Sequence, residues 1–111
     1  MKLKNTQILI TGASRGIGLS LAEQLAKKGA KLILVARQLD QKLKETLLSF
    51  GAEDVHLFNV DLSDPNAIDG FIKELDSQNL KVEILVNNAG LLTGGLFEKQ
   101  NLEDIRKMLR V

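Results

Sequence analysis

No cysteine occurs in the 111 residues, which excludes disulfides and cysteine-ligated zinc and fits a reducing, cytoplasmic compartment. No charge of one sign dominates: 15 basic and 14 acidic residues leave a net charge of +1. The basic field that drives nonspecific nucleic-acid binding is therefore missing, and no nucleic-acid partner is expected. Long apolar runs are missing as well, since stretches such as Leu32 to Ala36 fall far short of the roughly 20 residues that span a bilayer. Met1-Lys2-Leu3-Lys4-Asn5 leads directly into a strand-like run with no apolar signal core, so neither membrane insertion nor export is expected. What is present is ordinary for a globular chain, 44% hydrophobic and 26% charged, and sufficient for one domain.

Short β-rich apolar runs alternate with segments of helical period, the mark of βαβ units around a buried parallel sheet. Gln7 to Thr11, Lys31 to Ala36, Asp54 to Val60 and Glu83 to Asn87 are the expected strands. Ile17, Leu21, Leu25 and Ala26 recur at helical spacing, with Gly29 at the expected C-terminal cap. Leu39, Leu43, Leu47 and Phe50 form a second stripe closed by Gly51. Ser63-Asp64-Pro65 supplies the start of a third helix, whose apolar face is Ile68, Phe71, Ile72 and Leu75. Leu102 to Val111 suggests a fourth, with Ile105, Met108 and Leu109 and no stop signal, so a C-terminally truncated chain is expected. The fold class is thus α/β, the N-terminal half of a Rossmann-type doubly wound parallel sheet, βαβαβαβα. Residues 90–100 contain Gly94-Gly95 and are expected to form a loop, beyond the strand ends where ligands of such sheets bind.

Thr11-Gly12-Ala13-Ser14-Arg15-Gly16-Ile17-Gly18 lies between the first strand and the first helix. Gly12 permits a turn that other residues resist, while Gly16 and Gly18 allow the chain to approach a phosphate and the sheet. Free backbone N–H groups and the helix dipole make such a turn a site for a pyrophosphate. The usual NAD fingerprint has an acidic residue about 20 positions beyond the glycines. Ala36-Arg37 stands there instead. Arg37, with Arg15 in the turn, is suited to a 2′-phosphate, so the expected cofactor is NADP(H). Read singly, either arginine is also compatible with a solvated surface charge; their convergence favours the phosphate role.

Asn87-Asn88-Ala89-Gly90 follows the fourth strand and Asp61-Leu62 the third. Together with the glycine turn, these motifs resemble the short-chain dehydrogenase/reductase family along the whole chain. The resemblance implies a cofactor site formed by Gly12, Ser14, Arg15, Gly16, Ile17, Gly18, Arg37, Asp61, Leu62, Asn88, Ala89 and Gly90. In that family Asp61 would accept from the adenine amino group, with the Leu62 backbone beside it. Asn87 and Asn88 would brace the sheet and pass beside the cofactor, and Ala89 and Gly90 would lie near the ribose. Taken alone, Asp61 is equally a cap approaching the next helix. His56, Glu98, Glu103 and Asp104 receive no role, the last three being explained by charge placement around a helix.

The resemblance also implies a catalytic tyrosine, a lysine four residues later and a serine. Tyrosine is absent from these residues. No catalytic residue is therefore assigned, and the 111 residues alone are expected to be inactive. The expected role is the N-terminal NADP(H)-binding portion, residues 1–111, of an oxidoreductase that interconverts a small-molecule carbonyl and alcohol and forms a homo-oligomer at full length. A stand-alone nucleotide-binding module or sensor is the alternative, and a non-binding scaffold a third. The fourth strand is expected to expose an apolar parallel edge, favouring self-association.

Overall fold

The computed structural model describes residues 2–88, 96–98 and 102–109. Four parallel strands, β1 (Gln7–Thr11), β2 (Lys31–Ala36), β3 (Asp54–Asn59) and β4 (Ile84–Val86), form the sheet with β5 (Leu96–Glu98). The spatial order is β3-β2-β1-β4-β5. The chain winds outward from β1 through β2 to β3 and then crosses back to place β4 on β1's other side. That reversal opens a crevice at the carboxyl ends of β1 and β4, where ligands of open α/β sheets bind.

Alternation along each strand divides the core in two. Ile8, Ile10, Leu32, Leu34 and Val55 face α1 (Gly16–Lys27) and α2 (Gln41–Phe50). Leu9, Ile33, Val35 and Leu85 face α3 (Pro65–Ser77) and α4 (Leu102–Leu109). The strands read as continuous apolar runs because both faces are covered. Helix ends follow local chemistry: Asp40 accepts from the Leu43 N–H at 3.0 Å and Asp64 from the Asn66 N–H at 2.9 Å, with Pro65 in α3's first turn. Gly29, at φ +78°, follows α1 and donates to the Ala26 carbonyl.

The region after β4 differs from the expectation. Residues 96–98 are not loop but a short strand, paired antiparallel to β4 with Ile84 opposite Glu98 and Val86 opposite Leu96. The expected βαβαβαβα order therefore carries one additional strand, and the β4 edge expected to be bare is paired. The physical reason is the demand of exposed strand N–H and C=O groups for partners, met here by a segment close in sequence. Gly94-Gly95 lies outside the described residues.

Candidate functional site

The turn after β1 owes its path to its glycines. Gly12 and Gly16 sit at φ +65° and +62°, in the left-handed region that side chains disfavour. A Cβ on Gly16 would meet nothing within 4 Å, so open space lies before it. Gly18 is constrained from the other side: a Cβ there would overlap the Gly12 carbonyl and come within 2.9 Å of Asn88 Nδ2. Gly18 thus holds α1 against the turn and does not line the cleft.

Helix α1 begins at Arg15 without a side-chain cap, whereas α2 and α3 are capped by Asp40 and Asp64. The first-turn N–H groups and the dipole of an uncapped helix start are directed at whatever occupies the space before it. That space is a cleft of about 1060 Å³. Gly12, Ser14, Arg15, Gly16 and Ile17 form its floor, Val35 to Gln38 one wall, Val60 to Ser63 the adjoining wall, and Asn88 the far side. Ile17 is 78% exposed, an unusual position for a large apolar side chain on an amphipathic helix and one suited to covering a ligand.

Two bonds fasten the cleft to the sheet. Thr11, buried at the end of β1, donates from Oγ1 to Asn87 Oδ1 at 2.9 Å and accepts from the Asn88 N–H at 2.8 Å. Asn87 Nδ2 in turn donates to the Met108 carbonyl on α4 at 3.3 Å. Asn87 therefore braces β1, β4 and α4, while Asn88 reaches the cleft.

Arg15 and Arg37 both line the cleft, and neither side chain forms a hydrogen bond or ion pair among the described residues. No carboxylate stands at the end of β2, where Ala36, Arg37 and Gln38 meet the opening. Asp61, on the adjoining wall, accepts at Oδ1 from the Ser63 hydroxyl at 2.6 Å and the Ser63 N–H at 2.9 Å. The Ser63 hydroxyl is the main influence that lowers the Asp61 pKa, followed by the Ser63 N–H, with a smaller pull from the Arg37 guanidinium. Asp61 organises the approach to α3 and lines the cleft, although Asp64 provides the cap itself. Ala89 and Gly90 lie outside the described residues.

Ser63 and Asn59 escaped the sequence reading of the site. An aspartate two residues before a serine is a local turn signal and identifies the first. No local signal points to the second: Asn59 Oδ1 accepts from the N–H of Leu39, 20 residues earlier, at 2.8 Å.

The residues present fit a dinucleotide. Open space stands before Gly16, an uncapped helix start faces it, and two guanidinium groups without an ion pair among the described residues flank a cleft of sufficient volume. An open, doubly wound sheet with a glycine turn at its switch point defines the class of dinucleotide-binding α/β proteins. Within that class, residues 6–111 match the short chain dehydrogenase family, and the chain belongs to it.

An uncharacterized oxidoreductase of Staphylococcus saprophyticus is 32% identical over 109 residues, covering 98% of this chain and 44% of that protein. Among solved structures, L-sorbose reductase from Gluconobacter frateurii, complexed with NADPH and L-sorbose, is 38% identical with a TM-score of 0.72. That match covers 82% of this chain and 36% of the other. The NADH-dependent reductase A1-R′, complexed with NAD, matches at 26% identity and a TM-score of 0.73, over 97% of this chain and 50% of its own. The chain spans less than half the length of the S. saprophyticus relative. Structures similar to it hold either NADP(H) or NAD. No helix among the described residues is long and apolar enough to cross a membrane.

Proposed function

We propose that residues 1–111 are the NADP(H)-binding portion of a cytoplasmic oxidoreductase that interconverts a carbonyl and an alcohol. One observation carries the choice of NADP(H) over NAD(H): Arg15 and Arg37 line the cleft with neither side chain in a hydrogen bond or ion pair among the described residues, and no carboxylate stands at the end of β2. A carboxylate there would favour a ribose 2′-hydroxyl and repel a 2′-phosphate; a guanidinium does the reverse. The glycine turn and the start of α1 would hold the pyrophosphate, Asp61 and Leu62 the adenine, and Asn88, Ala89 and Gly90 the ribose next to the nicotinamide. The bound nicotinamide supplies or accepts the hydride. The groups that would move the accompanying proton are not assigned to this chain, which has no tyrosine.

The second reading is a nucleotide-binding module or sensor without catalysis, which the same cleft would serve. Titration with NADPH and NADH tests the cofactor assignment. Charge-assisted hydrogen bonds contribute about 1.5–3 kcal/mol each, reduced by exposure, so NADPH is expected to bind roughly tenfold to a hundredfold more tightly. Equal or tighter binding of NADH would overturn it. Carbonyl-dependent oxidation of NADPH by the purified chain would exclude the non-catalytic module.

A further inference from the structure

The segment that carries Arg37 is short and held at both ends. At its start, the Ala36 carbonyl accepts from the Val60 N–H at 2.9 Å, the last backbone bond between β2 and β3. At its end, the Leu39 N–H donates to Asn59 Oδ1 at 2.8 Å. Only Arg37 and Gln38 lie between these anchors, and both line the cleft. The next residue, Asp40, is already committed as the cap of α2.

One anchor is backbone and survives any substitution. The other depends on a single side chain on a different strand. Ala36 and Asn59 are register partners at the last position where β2 and β3 pair, so Asn59 stands beside the point where the β2 chain leaves the sheet. Without its amide oxygen, the chain from Arg37 to Leu39 would lose its only side-chain tether to β3 among the described residues, leaving the guanidinium on a longer, freer span.

We propose that Asn59 is a positioning residue for cofactor selectivity: by accepting from the Leu39 N–H it fixes the two-residue span that aims Arg37 into the cleft. This rests on Arg37 recognising the 2′-phosphate. Asn59 does not itself line the cleft, so its effect is expected to reach the cofactor through Arg37 and to be confined to cofactors bearing that phosphate. Pre-organising a charged group in this way raises affinity by lowering the ordering cost at binding.

The test compares NADPH and NADH affinities, read from the cofactors' own fluorescence in a chain without tryptophan or tyrosine. Three variants are needed, Arg37→Ala, Asn59→Ala and Asn59→Asp. Asn59→Ala is expected to weaken NADPH binding roughly fivefold, the scale of one hydrogen bond, and to leave NADH binding unchanged. Hydrogen exchange at the Leu39 amide should quicken in Asn59→Ala and return to the parent rate in Asn59→Asp, which retains the acceptor. An unchanged NADPH/NADH ratio in Asn59→Ala, with Arg37→Ala collapsing it, would overturn the positioning role alone. An unchanged ratio in Arg37→Ala would overturn the 2′-phosphate reading and this proposal with it. Parallel loss of both cofactors in Asn59→Ala would make Asn59 a general structural residue and overturn the proposal. If Asn59→Ala does not fold, Asn59→Ser replaces it, its hydroxyl being too short to reach the Leu39 N–H.

Discussion

The two faces of the sheet are built from different material. Helix α1 buries Gly18, Ala22 and Ala26, a stripe of the smallest residues at steps of four. Helix α3 buries Ile68, Phe71, Ile72 and Leu75. The sheet residues beneath them are the same branched aliphatics on either side. The difference lies in what each helix must do. Helix α1 has to bring its uncapped start against the turn after β1, and Gly18, whose Cβ position overlaps Gly12, shows how close that approach is. Helix α3 has no such duty and fills volume, with Phe71 meeting Phe58 edge to face at 5.0 Å. One face is shaped by the site and the other by the core.

Substitutions on the two sides should separate accordingly. The largest loss is expected on the core side, where Phe71→Ala removes a buried ring and costs about 3–5 kcal/mol in urea unfolding. A cost below about 1 kcal/mol would show that α3 is not the volume-filling helix. Next comes Thr11→Val, which keeps the shape but deprives Asn87 Oδ1 and the Asn88 N–H of their Thr11 partner, at about 1–3 kcal/mol. A thermal melt unchanged by that substitution would remove Thr11 from the bracing of β1 to β4.

Gly18→Ala tests the close approach. Alanine gains about 1 kcal/mol of helix propensity over glycine. Overpacking costs about 1–3 kcal/mol, and overlap with a backbone carbonyl, which has no rotamer to escape to, belongs at the upper end. A net loss of about 1–2 kcal/mol is expected, with a disproportionate fall in cofactor affinity because the start of α1 is displaced. Stabilisation with unchanged affinity would contradict the site-shaped face.

The smallest effect is that of Ser63→Ala. Its hydroxyl is the leading cause of the low Asp61 pKa, so removing it should raise that pKa toward the ordinary carboxylate value, as followed by the Asp61 carboxyl carbon in NMR titration. Because the folded pKa lies below the unfolded one, the associated stability is present above the unfolded value and is lost as pH falls through the folded value. Ser63→Ala should therefore lower stability slightly at neutral pH, flatten the acid side of the stability curve, and leave stability below the folded pKa unchanged. An Asp61 titration identical in both proteins would assign the shift to the retained N–H of residue 63 and to Arg37 instead.

The sequence by itself determined the features whose causes are local. Positive φ at Gly12 and Gly16, the cap at Asp64, and the twofold and helical periods are each settled within a few residues, so strands, helices and the glycine turn were legible before any packing was known. Arg37 was legible too, as a position a fixed distance beyond the turn. Only the tertiary structure decided which partners meet across the sheet: β5 against β4, Thr11 with Asn87 and Asn88, and Asn59 with Leu39. The side-chain contacts among these join residues 20 to 77 positions apart, where no local pattern distinguishes one asparagine from another. At Thr11, Asn87 and Asn88 they form because a part-buried polar group needs a partner, and the winding of the chain determines which one is within reach.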